Sequence, residues 1–297
     1  MKIKVVFLSR TALAGAPYEV MRCLNKYTDL EVRWVALKRD YADGRIFPAD
    51  LLWFRDFKQC LEVIGAAHIL HIHNEPFPLP KIYLKKKKIV VQVHSVPRRS
   101  SYTDLVALSS CRCTLEQPLQ ENEYKGLIPL PNLIDPFTYQ PIPKARPDGK
   151  PIVVFAPTNR WPNHVAGSKA KDAVIQIMKK LQDRLTLDIF STLSYEENLA
   201  RKQRADILID DVVGETFHRT ALEASCFASA VLTSHKNGAW MYTTLDNLES
   251  NLTKLSNDME LIAKLQVCSR AWLLKEWHPA AKSQAFVKVY EQVMAGG

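Results

Sequence analysis

Short apolar runs alternate with helix-forming segments along almost the whole chain, and this alternation constrains the fold more than any other feature. In the first half, the runs that predict strands are residues 2–9, 30–37, 68–73, 88–94, 107–113 and 126–129. In the second half, they are residues 152–156, 185–191, 207–210 and 230–233. Strands that alternate with helices are typical of parallel βαβ units. We therefore predict an α/β fold with two doubly wound, Rossmann-like halves.

A proline-rich segment separates the two series of strands. Residues 129–151 contain seven prolines, and such a composition is typical of a linker between domains. In doubly wound sheets, ligands bind at the carboxyl ends of the strands. Two such halves that face each other form a cleft, which is a common place for a binding site. The sequence therefore predicts two domains with a ligand site between them.

Positive charge is concentrated in the first half of the chain. Residues 1–150 hold 23 Lys and Arg against 15 Asp and Glu, a net charge of +8, whereas residues 151–297 hold 17 against 16, a net charge of +1. This asymmetry indicates an anionic partner for the first half, such as membrane headgroups, nucleic acid or an acidic acceptor. The four consecutive lysines at 85–88 are either a solvated surface or a contact with anionic lipid headgroups.

The amino terminus does not have the pattern of a signal peptide. Its apolar run, residues 5–8, is only four residues long before Ser9 and Arg10, which is too short for the apolar core of such a peptide. No stretch approaches the roughly 18 uncharged apolar residues that a membrane span needs. We therefore expect a cytoplasmic protein, with peripheral contact to the inner face of the membrane through the basic first half.

The segment GETFHRTALEA, residues 214–224, places one glutamate before a predicted helix and a second glutamate inside it. The helix is predicted over residues 216–229, and the N–H groups of a helix N-terminus favour phosphate. The amides of residues 217–220 are therefore candidates to bind a pyrophosphate. The residues from Glu215 to Glu223 rise only about 12 Å along a helix, comparable to the distance from sugar to ribose in a nucleotide-sugar. Glu215 is then a candidate for the sugar hydroxyls and Glu223 for the ribose hydroxyls; the alternative is two solvated carboxylates.

The motif around these glutamates resembles that of the GT-B glycosyltransferases, specifically the retaining family-4-like group. That group carries E-x7-E followed by EAmacGxPV, and here Glu215 is followed, after seven residues, by EASCFASAV from Glu223. Segments similar to other motifs of the group occur in the expected order: AAHILHIHN (66–74), VVQVHSVPR (90–98), IPLPNLIDPFTYQP (128–141), IVVFAPTNR (152–160), RADILID (204–210) and EWHPAAKSQAFVKVYEQVM (276–294). The resemblance covers nearly the whole chain.

The resemblance implies two Rossmann-like domains that face each other across a cleft. Residues 1–140 would bind the acceptor, and the C-terminal helix within residues 280–297 would pack back onto that domain. Residues 141–279 would bind a nucleotide diphospho-sugar, for which a UDP-sugar is the expected donor. The implied reaction is transfer of the sugar to a hydroxyl of a cell-envelope glycan or lipid-linked acceptor, with retention, as in polysaccharide biosynthesis. No cofactor and no metal ion is expected for catalysis.

The resemblance also assigns roles to particular residues. Glu215 and His94 are the expected catalytic residues, with His94 near the donor sugar. Gly15 and Ala16 belong to the loop on the acceptor side. The residues expected to contact the donor diphosphate and ribose are Arg160, Phe217, His218, Arg219, Thr220, Glu223 and Lys169.

Several positions depart from the pattern of the family. The glycine and proline that follow the second glutamate are replaced at residues 228–230, which read ASA. The loop after the first strand has a single glycine, Gly15. The family's lysine that faces the donor pyrophosphate corresponds to Ala166 in this chain; either Lys169 or Lys171 substitutes for it, or this charge is missing. These departures motivate a reading in which the chain binds ligand without turnover.

Three alternatives to this transferase stay open. The basic first half would also hold DNA, as in phage-type glycosyltransferases that modify bases. A non-catalytic GT-B protein would bind a nucleotide or glycan, and a sugar-nucleotide epimerase on the same fold would need no acceptor.

The HxH pair of His71 and His73 has a spacing that can bind metal. No third ligand accompanies that pair in the sequence, so no metal site is predicted.

Overall fold

The computed structural model describes residues 2–40, 46–85, 87–94, 107, 109–116, 126–146, 148–157 and 170–296. The chain divides into two compact units, one formed by Met1–Ile134 with Pro279–Gly297 and the other by Asp135–His278. Each unit has a parallel sheet whose strands alternate with helices. The predicted α/β fold with two Rossmann-like domains is therefore confirmed.

The first unit is built on a seven-stranded sheet in its described residues. The strands are β1 (Lys4–Ser9), β2 (Glu31–Ala36), β3 (Leu51–Leu52), β4 (Ile69–His73), β5 (Lys88–Val93), β6 (Cys111–Leu115) and β7 (Ile128–Leu130). Their order is β3-β2-β1-β4-β5-β6-β7, and every pairing is parallel. The helices are α1 (Ala16–Tyr27), α2 (Phe57–Ala66), α3 (Lys81–Lys85) and, at the C-terminus, α9 (Pro279–Ala295).

The central strands β1, β4 and β5 of the first unit are buried on both faces because helices cover both faces. On one face, Val6 and Leu8 pack in a buried cluster with Ile64 of α2. On the other face, Tyr290 of α9 is buried and its ring lies 5.9 Å from that of His71 in β4. Parallel sheets are typically covered in this way, which explains their nearly continuous hydrophobic runs. The C-terminal helix is therefore part of the core of the first unit.

The second unit has a smaller parallel sheet. Its described strands are β8 (Ile152–Phe155), β9 (Thr186–Ile189), β10 (Ile207–Ile209), β11 (Ala230–Thr233) and β12 (Met241–Tyr242), in the order β12-β11-β10-β8-β9. Its helices are α4 (Lys171–Lys180), α5 (Tyr195–Arg204), α6 (Arg219–Cys226), α7 (Leu248–Ser256) and α8 (Met259–Glu276). Val153 and Phe155 face a cluster that includes Val174 of α4 and Leu252 of α7, whereas Val154 is buried outside that cluster. This sheet is therefore also buried on both faces.

From residue 135 onward, the proline-rich segment belongs to the second unit and is anchored to it. Arg270 of α8 donates to the carbonyl of Pro136 at 2.8 Å. The Nζ of Lys144 donates to two carbonyls at the ends of α5 and α6, at 2.9 and 3.0 Å. Arg146 forms an ion pair with the buried carboxylate of Asp206 at 2.6 Å. These basic side chains bind the segment to the second unit, so this part of the segment is not a flexible linker despite its prolines.

The structure corrects the helix predicted over residues 216–229. Helix α6 begins at Arg219 and ends at Cys226. His218 keeps an extended backbone, with φ −107° and ψ 172°, and its N–H donates to Oδ2 of Asp210 at 2.6 Å. Because this acceptor belongs to the end of a strand, helix propensity within the segment could not locate the first residue of the helix.

Short elements account for the other differences from the predicted pattern. Helix α3 and the strands β3 and β12 have between two and five residues, which is too few to show a period in the sequence. The strand predicted over residues 107–113 begins only at Cys111 and runs to Leu115. These differences leave the order of the longer elements as predicted.

Helix α6 ends in a left-handed turn that contains no glycine. The N–H of Ala228 donates to the carbonyl of Ser225 at 3.2 Å, and the N–H of Ser229 to that of Ala224 at 2.9 Å. This is the bonding pattern of a Schellman motif. Ala228 has a φ of 50°, a conformation that costs an alanine roughly 1–2 kcal/mol and a glycine little. The backbone conformation that favours glycine is therefore retained although the glycine is absent.

We expect Ala228→Gly to raise the free energy of unfolding by about 0.5–1 kcal/mol. Relief of the left-handed strain should outweigh the extra entropy that a glycine adds to the unfolded chain. Ala205→Gly is the matched control, because Ala205 also follows a helix but has a φ of −66°. The control should lower the unfolding free energy by about 0.5–1 kcal/mol. Urea unfolding of the three proteins measures both effects, and a destabilised Ala228→Gly would contradict the strain.

Candidate functional site

The carboxyl end of β10 continues into a turn built around two buried aspartates. Asp210 and Asp211 are both inaccessible or nearly so. Oδ1 of Asp211 accepts hydrogen bonds from the N–H groups of Val213 and Gly214, both at 2.8 Å, in the manner of an Asx turn. Parallel sheets with helices on both faces bind ligands at this end of their strands. The turn therefore presents Glu215 at the ligand-binding end of the sheet.

Glu215 combines an exposed side chain with a strained backbone. Its φ is 50°, a region that few residues other than glycine adopt. Its N–H donates to Oγ of Ser234 at 3.0 Å, and the N–H of Ser234 in turn donates to the carbonyl of Asp211 at 2.7 Å. Strain that is held by surrounding bonds is concentrated at functional sites. The role of Glu215 toward a sugar stays a prediction, and its position is compatible with that role.

The N-terminus of α6 lies next to this turn and offers fewer amides to a ligand than the sequence predicts. The N–H of His218 is bonded to Asp210 and is therefore engaged within the unit, whereas a contact of the His218 side chain with the donor stays a prediction. Phe217 precedes the helix, and its ring is buried in a cluster of aromatic side chains. Arg219 and Thr220 hold first-turn positions, whose amides have no acceptor within the helix.

Glu223 lies in the interior of the second unit between two cations. Its side chain is buried, its Oε2 accepts from Nζ of Lys202 at 2.5 Å, and its Oε1 accepts from Nε of Arg219 at 2.8 Å. Arg219 also donates to the hydroxyl of Tyr195 at 3.1 Å. Lys202 and Tyr195 belong to α5, and Arg219 and Glu223 belong to α6. The buried carboxylate therefore joins these two helices.

Opposing effects act on the pKa of Glu223. Burial raises this pKa, and the charges of Lys202 and Arg219 together lower it by more, so it lies below its usual range. Both carboxylate oxygens are engaged inside the unit, and a ribose hydroxyl would have to share them; the ribose contact stays a prediction. The spacing of four residues from Arg219 to Glu223 indicates an ion pair on one helix. Nothing in the local sequence indicates Lys202, because it comes from another helix.

Two of the predicted donor contacts, Arg160 and Lys169, lie outside the described residues. Within the part of the chain that the structure describes, no group of three or more His, Cys, Asp or Glu side chains could hold a metal ion. His71 and His73 of the HxH pair are buried side chains of β4.

The loop between β1 and α1 has three consecutive residues in the left-handed region. The φ angles are 45° at Leu13, 55° at Ala14 and 80° at Gly15. The N–H of Gly15 donates to the carbonyl of Ala12 at 2.7 Å, and Ala16 is the first residue of α1. Two residues other than glycine therefore carry strain at the carboxyl end of β1. The residues predicted for the acceptor side, Gly15 and Ala16, stand at this end of the sheet.

His94 follows β5 at the carboxyl end of the same sheet. Its Nε2 lies 2.8 Å from Nδ1 of His73, and its backbone N–H donates to Oδ1 of Asn74 at 2.8 Å. The ring of His73 is stacked on that of His71, which lies 2.7 Å through Nδ1 from the hydroxyl of Tyr290. Burial lowers the pKa of His94 to about 4 and that of His71 to about 3. The sequence singles out each histidine but not their assembly into one cluster.

Comparison with solved structures identifies the fold. The catalytic domain of starch synthase IV from Arabidopsis thaliana, bound to ADP and acarbose, is similar over 99% of this chain and 100% of its own, with 11% identity and a TM-score of 0.64. AviGT4, a glycosyltransferase involved in avilamycin A biosynthesis, is similar over 100% and 99%, with 13% identity and a TM-score of 0.61. Sucrose-phosphate synthase from Thermosynechococcus elongatus is similar over 100% of both chains, with 13% identity and a TM-score of 0.57.

Identities this low show the fold alone, and the predicted GT-B fold is confirmed. No protein-family model matches the sequence, and no curated protein sequence is a significant match. Membership of the retaining family-4-like group therefore stays a prediction.

We expect Glu223→Gln to lower the free energy of unfolding at pH 7 by about 3–5 kcal/mol, because Lys202 and Arg219 would lose the charge that compensates theirs. The folded pKa of Glu223 lies below its unfolded value. Its contribution to stability is therefore complete above the unfolded pKa and is lost as the pH falls through the folded pKa. The difference from wild type should be constant near neutral pH and shrink in acid, as urea unfolding at a series of pH values would measure.

Glu62→Gln is the control for this prediction, because Glu62 is an exposed carboxylate inside α2. This substitution should change the unfolding free energy by less than about 0.5 kcal/mol at any of these pH values. A Glu223→Gln protein as stable as wild type at pH 7 would show that the buried carboxylate contributes no net stabilisation.

Proposed function

We propose that this protein is a glycosyltransferase that moves a sugar from a nucleotide diphospho-sugar to a hydroxyl group, with retention of configuration. The main support for this proposal is the position of Glu215 in a GT-B fold. It is an exposed carboxylate on a strained backbone, between the carboxyl end of β10 and the N-terminus of α6. A carboxylate there can accept hydrogen bonds from sugar hydroxyls, while a helix N-terminus favours the anionic diphosphate. The similar starch synthase domain was solved with ADP, which supports a nucleotide ligand.

The reaction needs stabilisation of the charge that builds on the leaving diphosphate. The first-turn amides of α6 and the positive end of its dipole would contribute, and Arg160 and Lys169 would supply cationic side chains. Glu215 would orient the sugar and Glu223 the ribose. A UDP-sugar is the proposed donor, and no metal ion is assigned a role.

For the acceptor we propose a cell-envelope glycan or a lipid-linked sugar, as in polysaccharide biosynthesis. Gly15, Ala16 and His94 stand at the carboxyl end of the first unit's sheet, where such sheets bind ligands. Residues 1–150 carry +8 of the net charge of +9, which favours an acidic acceptor or an anionic surface. The protein would act in the cytoplasm, in peripheral contact with the membrane.

Exposed apolar side chains of the first unit support the membrane contact. Phe54 and Ile82 are 80% and 63% exposed, and such side chains can enter a membrane interface. Lys87, in contrast, donates to the carbonyls of Gly65 and Ala67, both at 2.6 Å. This lysine therefore caps the end of α2, and the predicted contact between the lysine run and lipid does not include it. Among the described residues, no helix has the length and apolar character to cross a membrane.

Phe54→Ser should weaken binding to vesicles of anionic phospholipid by about tenfold, because it removes apolar area that would enter the interface. Val267→Ser is the matched control, since Val267 is 69% exposed on α8 of the second unit, and it should leave the binding unchanged. Co-sedimentation at low salt measures both. If the wild-type protein does not bind these vesicles, the membrane contact is refuted and the donor chemistry is unaffected.

Glu215→Ala should lower the release of nucleoside diphosphate by at least about a hundredfold, because a group that orients the sugar in the transition state is lost. The assay is donor hydrolysis and transfer across UDP-, GDP- and ADP-sugars. Glu260→Ala, an exposed carboxylate of α8, is the control and should retain full activity. Nucleotide binding without turnover of any donor would favour the non-catalytic alternative, and no binding of any donor would refute the donor site around Glu215.

A further inference from the structure

His94 and His73 share a hydrogen bond that needs one proton. Nε2 of His94 lies 2.8 Å from Nδ1 of His73. Two neutral imidazoles can form this bond only when one of these nitrogens carries hydrogen and the other a lone pair. If His73 donates from Nδ1, the proton of His94 lies on its own Nδ1. If His94 donates from Nε2, the proton of His73 lies on its Nε2.

The surroundings of His73 distinguish these two arrangements. The residue is 1% exposed, and its Nε2 has no hydrogen-bond partner in the described part of the chain. Aromatic rings lie close by, with centroids 4.4 Å away for His71 and 4.8 Å for Phe7. Buried N–H groups without an acceptor are rarer than buried acceptors without a donor. The proton of His73 therefore belongs on Nδ1, and its Nε2 keeps a lone pair.

We propose that His73 is a positioning residue that fixes His94 in the tautomer protonated at Nδ1. His94 then donates a hydrogen bond to an oxygen of its ligand and does not act as a general base. The tautomer follows from the cluster alone, whereas the ligand, a sugar or phosphate oxygen, rests on the proposed function. Of the described residues, His73 is the one hydrogen-bonded to the ring of His94, so Nδ1 is the nitrogen left for a ligand.

Neighbouring groups hold the two rings in this arrangement. Oδ1 of Asn74 accepts the backbone N–H of His94. His71 is stacked on His73 with 10° between the ring planes, and its Nδ1 is bonded to the hydroxyl of Tyr290. Burial lowers the pKa of His94 to about 4 and that of His73 well below its usual range. Both rings are therefore neutral near pH 7, and the single shared proton is preserved.

The proton on each ring nitrogen can be observed directly. Long-range ¹H–¹⁵N correlation of protein labelled with [¹⁵N]histidine distinguishes protonated from bare ring nitrogens. At pH 7 we expect both His73 and His94 to be protonated at Nδ1 and bare at Nε2. The His94→Gln and His73→Leu proteins assign the two sets of signals. A His94 ring that is protonated at Nε2, or charged at pH 7, would overturn the inference.

Substitutions of His73 separate positioning from a structural role. His73→Leu removes the hydrogen bond that selects one tautomer of His94. Because His94 is only half-buried, its Nε2-protonated form should then become populated beside the Nδ1-protonated form. His73→Asn places an amide N–H near the former Nδ1 and should restore the Nδ1 tautomer. Under the proposed function, kcat for transfer should fall by about tenfold or more in His73→Leu and recover in His73→Asn. His278→Phe, in the second unit, is the control and should change neither readout.

The tautomer of His94 and its hydrogen bond to a sugar oxygen can be refuted separately. If no donor is turned over, the spectrum of the wild-type protein still decides the tautomer, and donation to a sugar oxygen fails together with the proposed function. If transfer is observed but a folded His73→Leu protein keeps both the wild-type tautomer of His94 and the wild-type kcat, the positioning role is refuted while the transferase stands. Unfolding curves of each variant show whether it is folded.

Discussion

A carboxylate buried between two cations holds helix α6 in place, and the candidate donor site depends on it. Glu223 accepts from Arg219 of its own helix and from Lys202 of α5. Removing three charged groups from water is costly, and the cost is repaid only when each charge is compensated at short range. This requirement fixes α6 against α5, and with it the N-terminus of α6 beside the end of β10. The candidate donor site therefore depends both on this buried ion cluster and on the bond that holds Glu215 to Ser234.

Backbone strain occurs at equivalent places in the two units. Ala14, Asn74 and Glu215 have φ angles of 55°, 67° and 50°, and each follows the carboxyl end of a strand. Hydrogen bonds from neighbouring segments hold these conformations, as in the bond from the N–H of Asn74 to the carbonyl of Gln92 at 2.8 Å. Such strain persists only where the surroundings over-determine it. Its recurrence at the ligand-binding end of both sheets is independent of any motif and agrees with the proposed sites.

Much of the fold could be predicted because strand and helix patterns are local. The strand at Ala230–Thr233 has the predicted bounds, and the strand predicted over residues 152–156 is found at Ile152–Phe155. Prediction was less accurate where the deciding partner is distant in the chain. The carboxylate of Asp210 decides where α6 begins, and the carbonyls at the end of α2 decide that the amine of Lys87 bonds within its own unit. Neither partner contributes to the periodicity of the segment it affects.

The sequence by itself determined the class of fold, the order of the elements and the placement of Glu215 and His94 after strands, because short apolar runs and helix-forming segments are local features of the chain. Only the tertiary structure decided which side chains bond to the site residues. Lys202 of α5 donates to Glu223 of the neighbouring helix α6, and His73 of β4 is hydrogen-bonded to His94 after the neighbouring strand β5. Such pairings depend on how separate elements pack, and the charge state and proton position of each site residue are set by those partners and by burial.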